Sequence, residues 1–339
     1  MADAIRLSIA EAQNLASAAL VASRTSAGNA RPTACALVAA EADGQAGHGL
    51  SRVPSYALHA RAGKVDGFAR PTLEQLGPAV LRVDAARGFA YPAIEMTLDA
   101  LAPLARHTGM ALGLIRHSHH FGQAGAHAER LAEQGLVCLV LGNTPRAMAF
   151  WGGKTPAMGT NPIAFAAPLP DGRPPLVIDL ALSVAARGKI VAAQKSGKQI
   201  PADWAVGPDG QPTTDPDAAL AGALSPIGGP KGAALALMVE VLAAALTGSS
   251  FGWEASSMFD AKGGPPDVGH LFLAFDPAPL SAGAFSPRML EMVRAIESEP
   301  GARLPGMKRL EGRQRAARDG LQIPAALHDE IQSLINNPA

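Results

Sequence analysis

Hydrophobic spacing divides the chain into helical and extended stretches. Ile9, Ala12, Leu15, Ala16, Ala19 and Leu20 recur at helical period, and Ser8 followed by Glu11 has the spacing of a capping box. A first helix is predicted from there to about Ser26. Residues 34–40 are apolar, short and followed by the turn residues of E-A-D-G-Q-A-G, a pattern that suits a helix or a strand. After G-H-G-L-S-R-V-P-S-Y, a polar, glycine-containing region to about Arg87 predicts short strands and turns. Pro92 fits the first turn of a helix through Leu98 and beyond, which Pro103 is expected to kink or divide and Gly109 to close.

The middle of the chain is the most patterned part. Residues 110–115 read as a buried strand, 123–134 as a helix ended by Gly135, and 136–141 as a second apolar strand. Such a strand, loop, helix, strand unit sets the loop R-H-S-H-H-F-G beside a helix N-terminus, where backbone donors and the dipole favour an anion such as a phosphate. Further strands are predicted at 163–167, 176–180 and 270–275, and helices at 183–196, 231–246, 287–298 and 324–336.

Composition narrows the class. The 339 residues are 48% hydrophobic and 17% charged, which supports one large core or two modest ones, in two or three sub-domains, and excludes a disordered or fibrous chain. Basic and acidic residues balance at 29 each and aromatics are 4%, so neither a polyanion field nor a base-stacking surface is expected, and nucleic acid is not a partner. Cys35 and Cys138 lie in apolar runs and read as small buried hydrophobes, not a disulfide. The N-terminus lacks the basic and long apolar regions of a signal peptide, which makes the cytoplasm the expected location. Residues 232–248 are the most apolar segment, yet they are short for a bilayer and carry Glu240, so a buried helix is expected and no membrane partner.

Candidate chemistry concentrates in a few motifs. His117, His119, His120 and His127 fall close together, but their spacing matches no zinc signature, and no metal site is assigned. Imidazoles at the end of a buried strand more naturally supply a proton or a cofactor hydrogen bond, the plain alternative being that one or two of them cap the helix. His48, four residues before Arg52, could exchange a proton while Arg52 clamps a carboxylate; alone, such a pair is more often one of surface neighbours. W-G-G-K-T-P-A-M-G-T-N-P is dense in turn residues and offers Thr160 and Asn161 as neutral donors, unless it is only a wide loop. G-G-P-K-G brings backbone and Lys231 toward a helix start without being a Walker A loop. No G-x-G-x-x-G occurs, so the dinucleotide fingerprint of a Rossmann unit is absent.

Taken together, R-H-S-H-H-F-G-Q-A-G, W-G-G-K-T-P-A-M-G-T-N-P-I-A-F-A-A-P and G-G-P-K-G-A-A-L-A-L-M-V-E-V-L resemble, in order, the malate/L-lactate dehydrogenase-type oxidoreductase family. The resemblance implies an α/β, non-Rossmann nicotinamide-binding fold with a mixed, largely antiparallel sheet and helices. It divides the chain into an N-terminal helical and substrate-contact region (1–108), a cofactor-binding domain (109–285) and C-terminal helices (286–339) that pack back on the first region, and it implies a homodimer. The branch it most resembles is that of the Δ1-piperideine-2-carboxylate/Δ1-pyrroline-2-carboxylate reductases, which reduce cyclic imino acids to L-pipecolate and L-proline with NADPH, within proline metabolism and lysine degradation. An NAD-dependent 2-hydroxy-acid dehydrogenase is the alternative, so NADH remains a candidate cofactor.

By that resemblance His48 is the proton donor, Arg52 the ligand of the substrate carboxylate, Thr160 a substrate contact and His120 an acid/base beside the nicotinamide. Cofactor contacts fall on His120, Phe121, Gly122, Gln123, Ala124, Ile178, Asp179, Leu180, Gly229, Arg303, Leu304, Pro305 and Gly306, with Arg146 a candidate partner for a 2'-phosphate. Two positions depart from the family pattern. Gly47 stands where a serine usually orients the histidine, leaving Ser51 or water as its substitute, and His117 stands where Asn is common. A binding protein with a decayed site is the non-enzymatic alternative, against which His48, Arg52, His120 and Thr160 all persist.

Overall fold

The computed structural model describes residues 4–339. Strand β1 (Ala4–Leu7) leads into helix α1 (Ile9–Val21), whose capping box is closed on both sides: Glu11 N–H donates to Ser8 Oγ and Ser8 N–H to Glu11 Oε2. The helix stops short of Ser26 because Ser26 caps a second helix, α2 (Ala27–Ala42), by accepting from Asn29 N–H. Residues 34–40 are thus helical. Two 3-10 turns, Ala46–His48 and Leu50–Arg52, run into α3 (Val53–Arg61). This helix corrects the expectation of only strands and turns there: Pro54 lies in its first turn, and Val53, Tyr56, Ala57 and Ala60 form its buried stripe.

The short strands β2 (Thr72–Gly77) and β3 (Val80–Asp84) precede α4 (Ala90–Thr108). Helix α4 runs unbroken through Pro103 and ends at Gly109, whose φ of 83° only glycine adopts readily. Burial of Leu98, Leu101, Ala102 and Ala105 around the proline outweighs the one missing N–H. Then follow β4 (Met110–Ser118), α5 (Ala124–Ala132), β5 (Val137–Gly142), β6 (Met148–Ala149), β7 (Pro156–Met158), β8 (Ile163–Ala167) and β9 (Leu176–Leu180). Next come α6 (Arg187–Lys195), β10 (Ala205–Val206), α7 (Pro216–Ala221), β11 (Ala223–Leu224) and α8 (Pro230–Val239), which passes into a π turn at Glu240–Ala245. The chain closes with β12 (Val268–Phe275), α9 (Pro277–Leu280), α10 (Phe285–Ser298), α11 (Met307–Asp319), β13 (Leu321–Pro324) and α12 (Ala325–Asn336). Helix α11 and the pair β1 and β13 were not expected from the sequence pattern.

Seven strands form the main sheet in the order β2-β3-β4-β12-β5-β8-β9, and every neighbouring pair is antiparallel except β3 and β4. The late strand β12 inserts between β4 and β5, so the strand–helix–strand unit spans one intervening strand. Side chains alternate between the two faces. Ala111, Ile115, Cys138, Val140, Ala164, Ala166 and Phe272 pack with α4 and α5, whereas Leu114, Leu141 and Leu271 pack with α8 and the small sheet β10-β11-β6-β7. The sheet also takes β2 and β3 from the N-terminal segment, and α4 lies in its core, so the boundary expected at residue 108 falls inside this layered unit.

A third core joins α1, α2 and α3 to the end of the chain. Ala16, Leu20, Leu37 and Tyr56 pack with Ala316, Leu321, Ile323 and Ile331, and β1 pairs with β13. Helix α8 differs from the expected wholly buried segment. It buries Gly232, Ala233 and Ala236, since a Cβ at Gly232 would lie 1.9 Å from Ile227 O, and exposes Leu235, Leu237 and Met238, with Val241 and Leu246 exposed just beyond. Among the described residues no helix is long and apolar enough to cross a membrane.

Candidate active site

The segment after β4, the 3-10 turn at Ala46–His48, α3 and the first turn of α4 bring together four imidazoles, His48, His59, His119 and His120, and both of the chain's tyrosines. Tyr56 Oη lies 2.6 Å from His120 Nδ1 and 3.3 Å from Tyr91 Oη. Burial pushes the Tyr56 phenol up to about 12 and Tyr91 well above its usual value, so both remain protonated. His120 is held well below 6.5, first by burial and then by the positive charge of Arg52. The phenol is therefore the donor and His120 Nδ1 the acceptor, which leaves the ring proton on Nε2. The His48 ring stacks on His120 with centroids 5.3 Å apart.

A second pair stands behind the first. His59 Nε2 donates to Asp260 O at 3.0 Å, so its Nδ1 accepts from His119 Nε2, also at 3.0 Å. His127 Nε2 donates to Phe121 O, while His117 Nδ1 turns away to Asp84 at 3.0 Å. The four clustered histidines thus serve four separate partners, and none of them caps α5, whose N-cap is Gln123. His117 has φ of 50°, a left-handed conformation that Asn, Asp and His tolerate best, which explains why His can stand where Asn is common.

His48 Nδ1 is buried without a hydrogen-bond partner in the protein. Ser51 does not supply one, because its hydroxyl donates to Ala46 O. Burial, and secondarily Arg52, lower the His48 imidazole to about 4. Arg52 Nε donates to Gly47 O at 2.7 Å and makes no ion pair among the described residues, so its guanidinium remains available to a carboxylate.

Thr160 lies just before β8. Its N–H donates to Thr144 Oγ1 at 3.0 Å and its carbonyl accepts from Leu182 N–H. The next residue, Asn161, has φ of 40° and donates through Nδ2 to Glu240 Oε1 at 2.9 Å. Glu240 is buried and also accepts from the backbone N–H of Gly159 and Gly252. This carboxylate ties the Thr160 loop to α8, a role that its place in an apolar run did not reveal.

The segments assigned to the cofactor meet in part. Gln123, Asp179, Arg303, Leu304, Pro305 and Gly306 line one cavity of about 380 Å³ together with Lys308 and Arg309. Gln123 Oε1 is buried without a partner while its Nε2 donates to Asp43 Oδ2, and Arg303 and Lys308 form no ion pair among the described residues. An open acceptor and two free cations fit the hydroxyl groups and phosphates of a dinucleotide. Asp179 Oδ2 accepts from Gly125 N–H at 2.8 Å, joining β9 to the first turn of α5. Phe121 stacks on His270 at 4.4 Å, and a Cβ at Gly122, where φ is 69°, would lie 2.5 Å from Tyr91 Oη, so position 122 leaves no room for a side chain. Ala124 opens α5, while Ile178 and Leu180 flank Asp179 on β9. Gly229 caps α8 away from this cavity, beside Trp151. Arg146 does not line the cavity. It is exposed after β5, its N–H bound to Gly252 O, and the cations near the cavity come instead from α11 and the loop before it.

Sequence reasoning missed Tyr56, Tyr91, His59 and Lys64. The rarity of tyrosine, two in the whole chain, was the available signal. Lys64 left none: it is buried, and its ammonium donates to the carbonyls of Ser257, Asp260 and Lys262.

Comparison with known proteins places this geometry. The protein-family profile described as malate/L-lactate dehydrogenase matches residues 7–332. A (2R)-3-sulfolactate dehydrogenase (NADP(+)) of Chromohalobacter salexigens is 50% identical over 96% of this chain and 97% of its own. A Δ1-pyrroline-2-carboxylate reductase of Ancylobacter novellus is 43% identical over 98% of both chains. The crystal structure of Δ1-piperideine-2-carboxylate reductase from Pseudomonas syringae pathovar tomato superposes with a TM-score of 0.92 at 39% identity, covering 97% of this chain and 99% of that one.

Proposed function

The chain belongs to the malate/L-lactate dehydrogenase family of oxidoreductases, which use a nicotinamide cofactor, and from that premise we propose that it reduces cyclic imino acids with NADPH. The substrates are Δ1-piperideine-2-carboxylate and Δ1-pyrroline-2-carboxylate, and the products L-pipecolate and L-proline. The observation that carries this reading is the pair of stacked imidazoles, His48 and His120, both held neutral beside Arg52, with His48 Nδ1 unpartnered. A neutral imidazole is a poor acid for the oxygen of a ketone, whereas a protonated cyclic iminium arrives already electrophilic.

Arg52 would hold the substrate carboxylate, and Thr160 a second polar edge. Residues 120–124, 178–180, 303–306 and Gly229 would hold the cofactor, which when bound supplies a hydride to C2. The imine nitrogen brings its proton from solution, so the protein's part is to orient C2, exclude water and shield the iminium charge from Arg52 with the carboxylate itself. As this substrate pairs with Arg52, one cause of the depressed His48 value is removed while burial remains. The exposed leucines of α8 fit a homodimer contact, which light scattering after gel filtration checks, and a cytoplasmic enzyme is in keeping with all of this.

A second reading, a 2-hydroxy-acid dehydrogenase, is favoured by the 50% identical sulfolactate relative. The deciding experiment is oxidation of NADPH and of NADH by purified protein at neutral and alkaline pH, with cyclic imino acids beside pyruvate, oxaloacetate and sulfopyruvate. Turnover fastest with NADPH and the cyclic imines supports the reductase; turnover confined to open-chain 2-oxo acids replaces it with the dehydrogenase.

A further inference from the structure

Residues 256–266 form no helix or strand, and none of them donates or accepts a main-chain to main-chain hydrogen bond. Backbone withdrawn from water needs partners, and here side chains supply them. Lys64, buried just after α3, directs its ammonium at three carbonyls, those of Ser257, Asp260 (2.9 Å) and Lys262 (2.8 Å). An ammonium has three N–H donors, so all of them are spent on this one loop. Lys64 forms no ion pair among the described residues, and His59 Nε2 adds a second bond to Asp260 O.

The anchored stretch sends neighbouring side chains opposite ways. Met258 is buried with Ala255 and Val268, whereas Phe259 is 57% exposed, with its ring centroid 5.5 Å from Arg52 Cζ. Among the described residues the one hydrogen bond of the Arg52 side chain runs from Nε to Gly47 O. The Phe259 ring is therefore the second contact that limits where the guanidinium can swing, and it leaves the terminal nitrogens free.

We propose that Lys64 is a positioning residue for substrate binding: three carbonyls of the 257–262 loop gather on its ammonium, and the loop so fixed holds Phe259 against Arg52, with the guanidinium preset for a carboxylate. The inference rests on the reading that Arg52 holds the substrate carboxylate. Lys64 is buried and touches neither substrate nor cofactor; it acts through the loop. An arginine released from the ring must be ordered when the carboxylate docks, which weakens binding about 2- to 10-fold. That ordering is complete before the hydride moves, so its loss raises KM and leaves kcat as it was.

The test is a cycle of K64M, F259L and K64M/F259L, with K64R, K64R/F259L and R52Q beside it. Calorimetry on the NADPH complex gives Kd for cyclohexanecarboxylate, a ring carboxylate with nothing to reduce. Steady-state assays give KM and kcat for Δ1-piperideine-2-carboxylate and for pyruvate, and thermal denaturation gives Tm. F259L removes the aromatic face of an exposed residue and should raise Kd and KM about 2- to 10-fold, with kcat and Tm unchanged. K64M should do the same at a lowered Tm, and K64R should lie between it and the wild type. The double variants should bind no more weakly than the weaker of their single parents, because both changes release one contact. Should K64M not fold, the K64R pair carries the same comparison. Affinity intact in F259L, losses that multiply in the double variants, or a lowered Tm with Kd intact in the Lys64 variants overturns the inference. R52Q separates the two levels: if it leaves Kd unchanged, the reading of Arg52 falls and the inference with it, whereas binding lost in R52Q but intact in F259L removes the inference alone. A Kd that depends on Lys64 and Phe259, with turnover confined to open-chain 2-oxo acids, upholds the inference and removes the imine reading.

Discussion

Replacing Tyr56 with Phe removes one oxygen atom and leaves the ring that packs on Phe89 and His119 at centroid distances of 5.4 and 5.3 Å. The lost oxygen is 2.6 Å from His120 Nδ1 and 3.3 Å from Tyr91 Oη, and all three residues are buried. With the phenol pushed up to about 12 and the imidazole well below 6.5, a phenol proton faces a bare ring nitrogen at neutral pH. Tyr56→Phe strands that nitrogen and frees the ring to exchange its tautomer. A buried polar group deprived of its partner costs about 1–3 kcal/mol. If this falls on the transition state, kcat drops by about 5- to 150-fold, since about 1.4 kcal/mol is a factor of ten.

The assay is steady-state NADPH oxidation with Δ1-piperideine-2-carboxylate, accompanied by thermal denaturation of the same preparations. A fall in kcat within that range, with KM for the substrate changed little, is the expected result, because the hydroxyl orients His120 and does not touch the carboxylate. A Tm lowered by a few degrees with kcat intact would refute the reasoning, by showing that the hydroxyl only fills a core.

Three further outcomes are expected. Gly47→Ser should fit, since a Cβ there meets nothing within 4 Å, and by giving His48 a partner it should raise ketone reduction much more than imine reduction; equal gains would count against the imine reading. His127 and His270, buried and held near 4 and 3 chiefly by burial, stay neutral in the folded chain, while the unfolded chain protonates them near 6.5. Their stabilising contribution is therefore whole above pH 6.5 and is lost as pH falls toward 4, at about 1.4 kcal/mol per pH unit for each proton; urea midpoints unchanged from pH 7 to 5 would exclude it. Glu240→Gln keeps one oxygen and sets its amide NH2 either against the donors of Gly159 and Asn161, now on Oε1, or against that of Gly252, now on Oε2, costing about 1–3 kcal/mol in urea unfolding and raising KM through the Thr160 loop. Unchanged stability would mean that the carboxylate is not what holds that loop.

The central strands of the main sheet were legible because their apolar runs are short and bounded by turn residues. Strands 163–167 and 176–180 agree residue for residue. Helices α2 and α3 were harder to see for a physical reason. Alanine buries well but gives little periodic contrast, and α2 carries seven alanines with hardly any polar stripe. Helix α8 shows the converse: uniform hydrophobicity predicted burial, but close approach to Ile227 selects the small face, which turns the large side chains outward.

For the site, motifs located residues but not relations. Type and spacing left His48, Arg52 and His120 open and the family resemblance singled them out, whereas the Tyr56 bond depends on α3 meeting the end of β4, 64 residues later in the chain.

Placing the charges side by side gives the site its logic. Burial first, and then Arg52 among the neighbouring charges, lower the pKa of His48, His59, His119 and His120, so a guanidinium without a carboxylate partner adds to what burial already does to this group of imidazoles. Removing any of those protons from the balance by mutation would be less costly than removing the guanidinium, because the imidazoles are already uncharged. The positive charge itself is what an anionic substrate neutralises on entry. In the proposed reduction, binding and proton affinity are linked through Arg52: a carboxylate docked there removes the smaller of the two causes that lower His48, burial remains, and the imidazole stays a poor acid while the iminium carries its own proton.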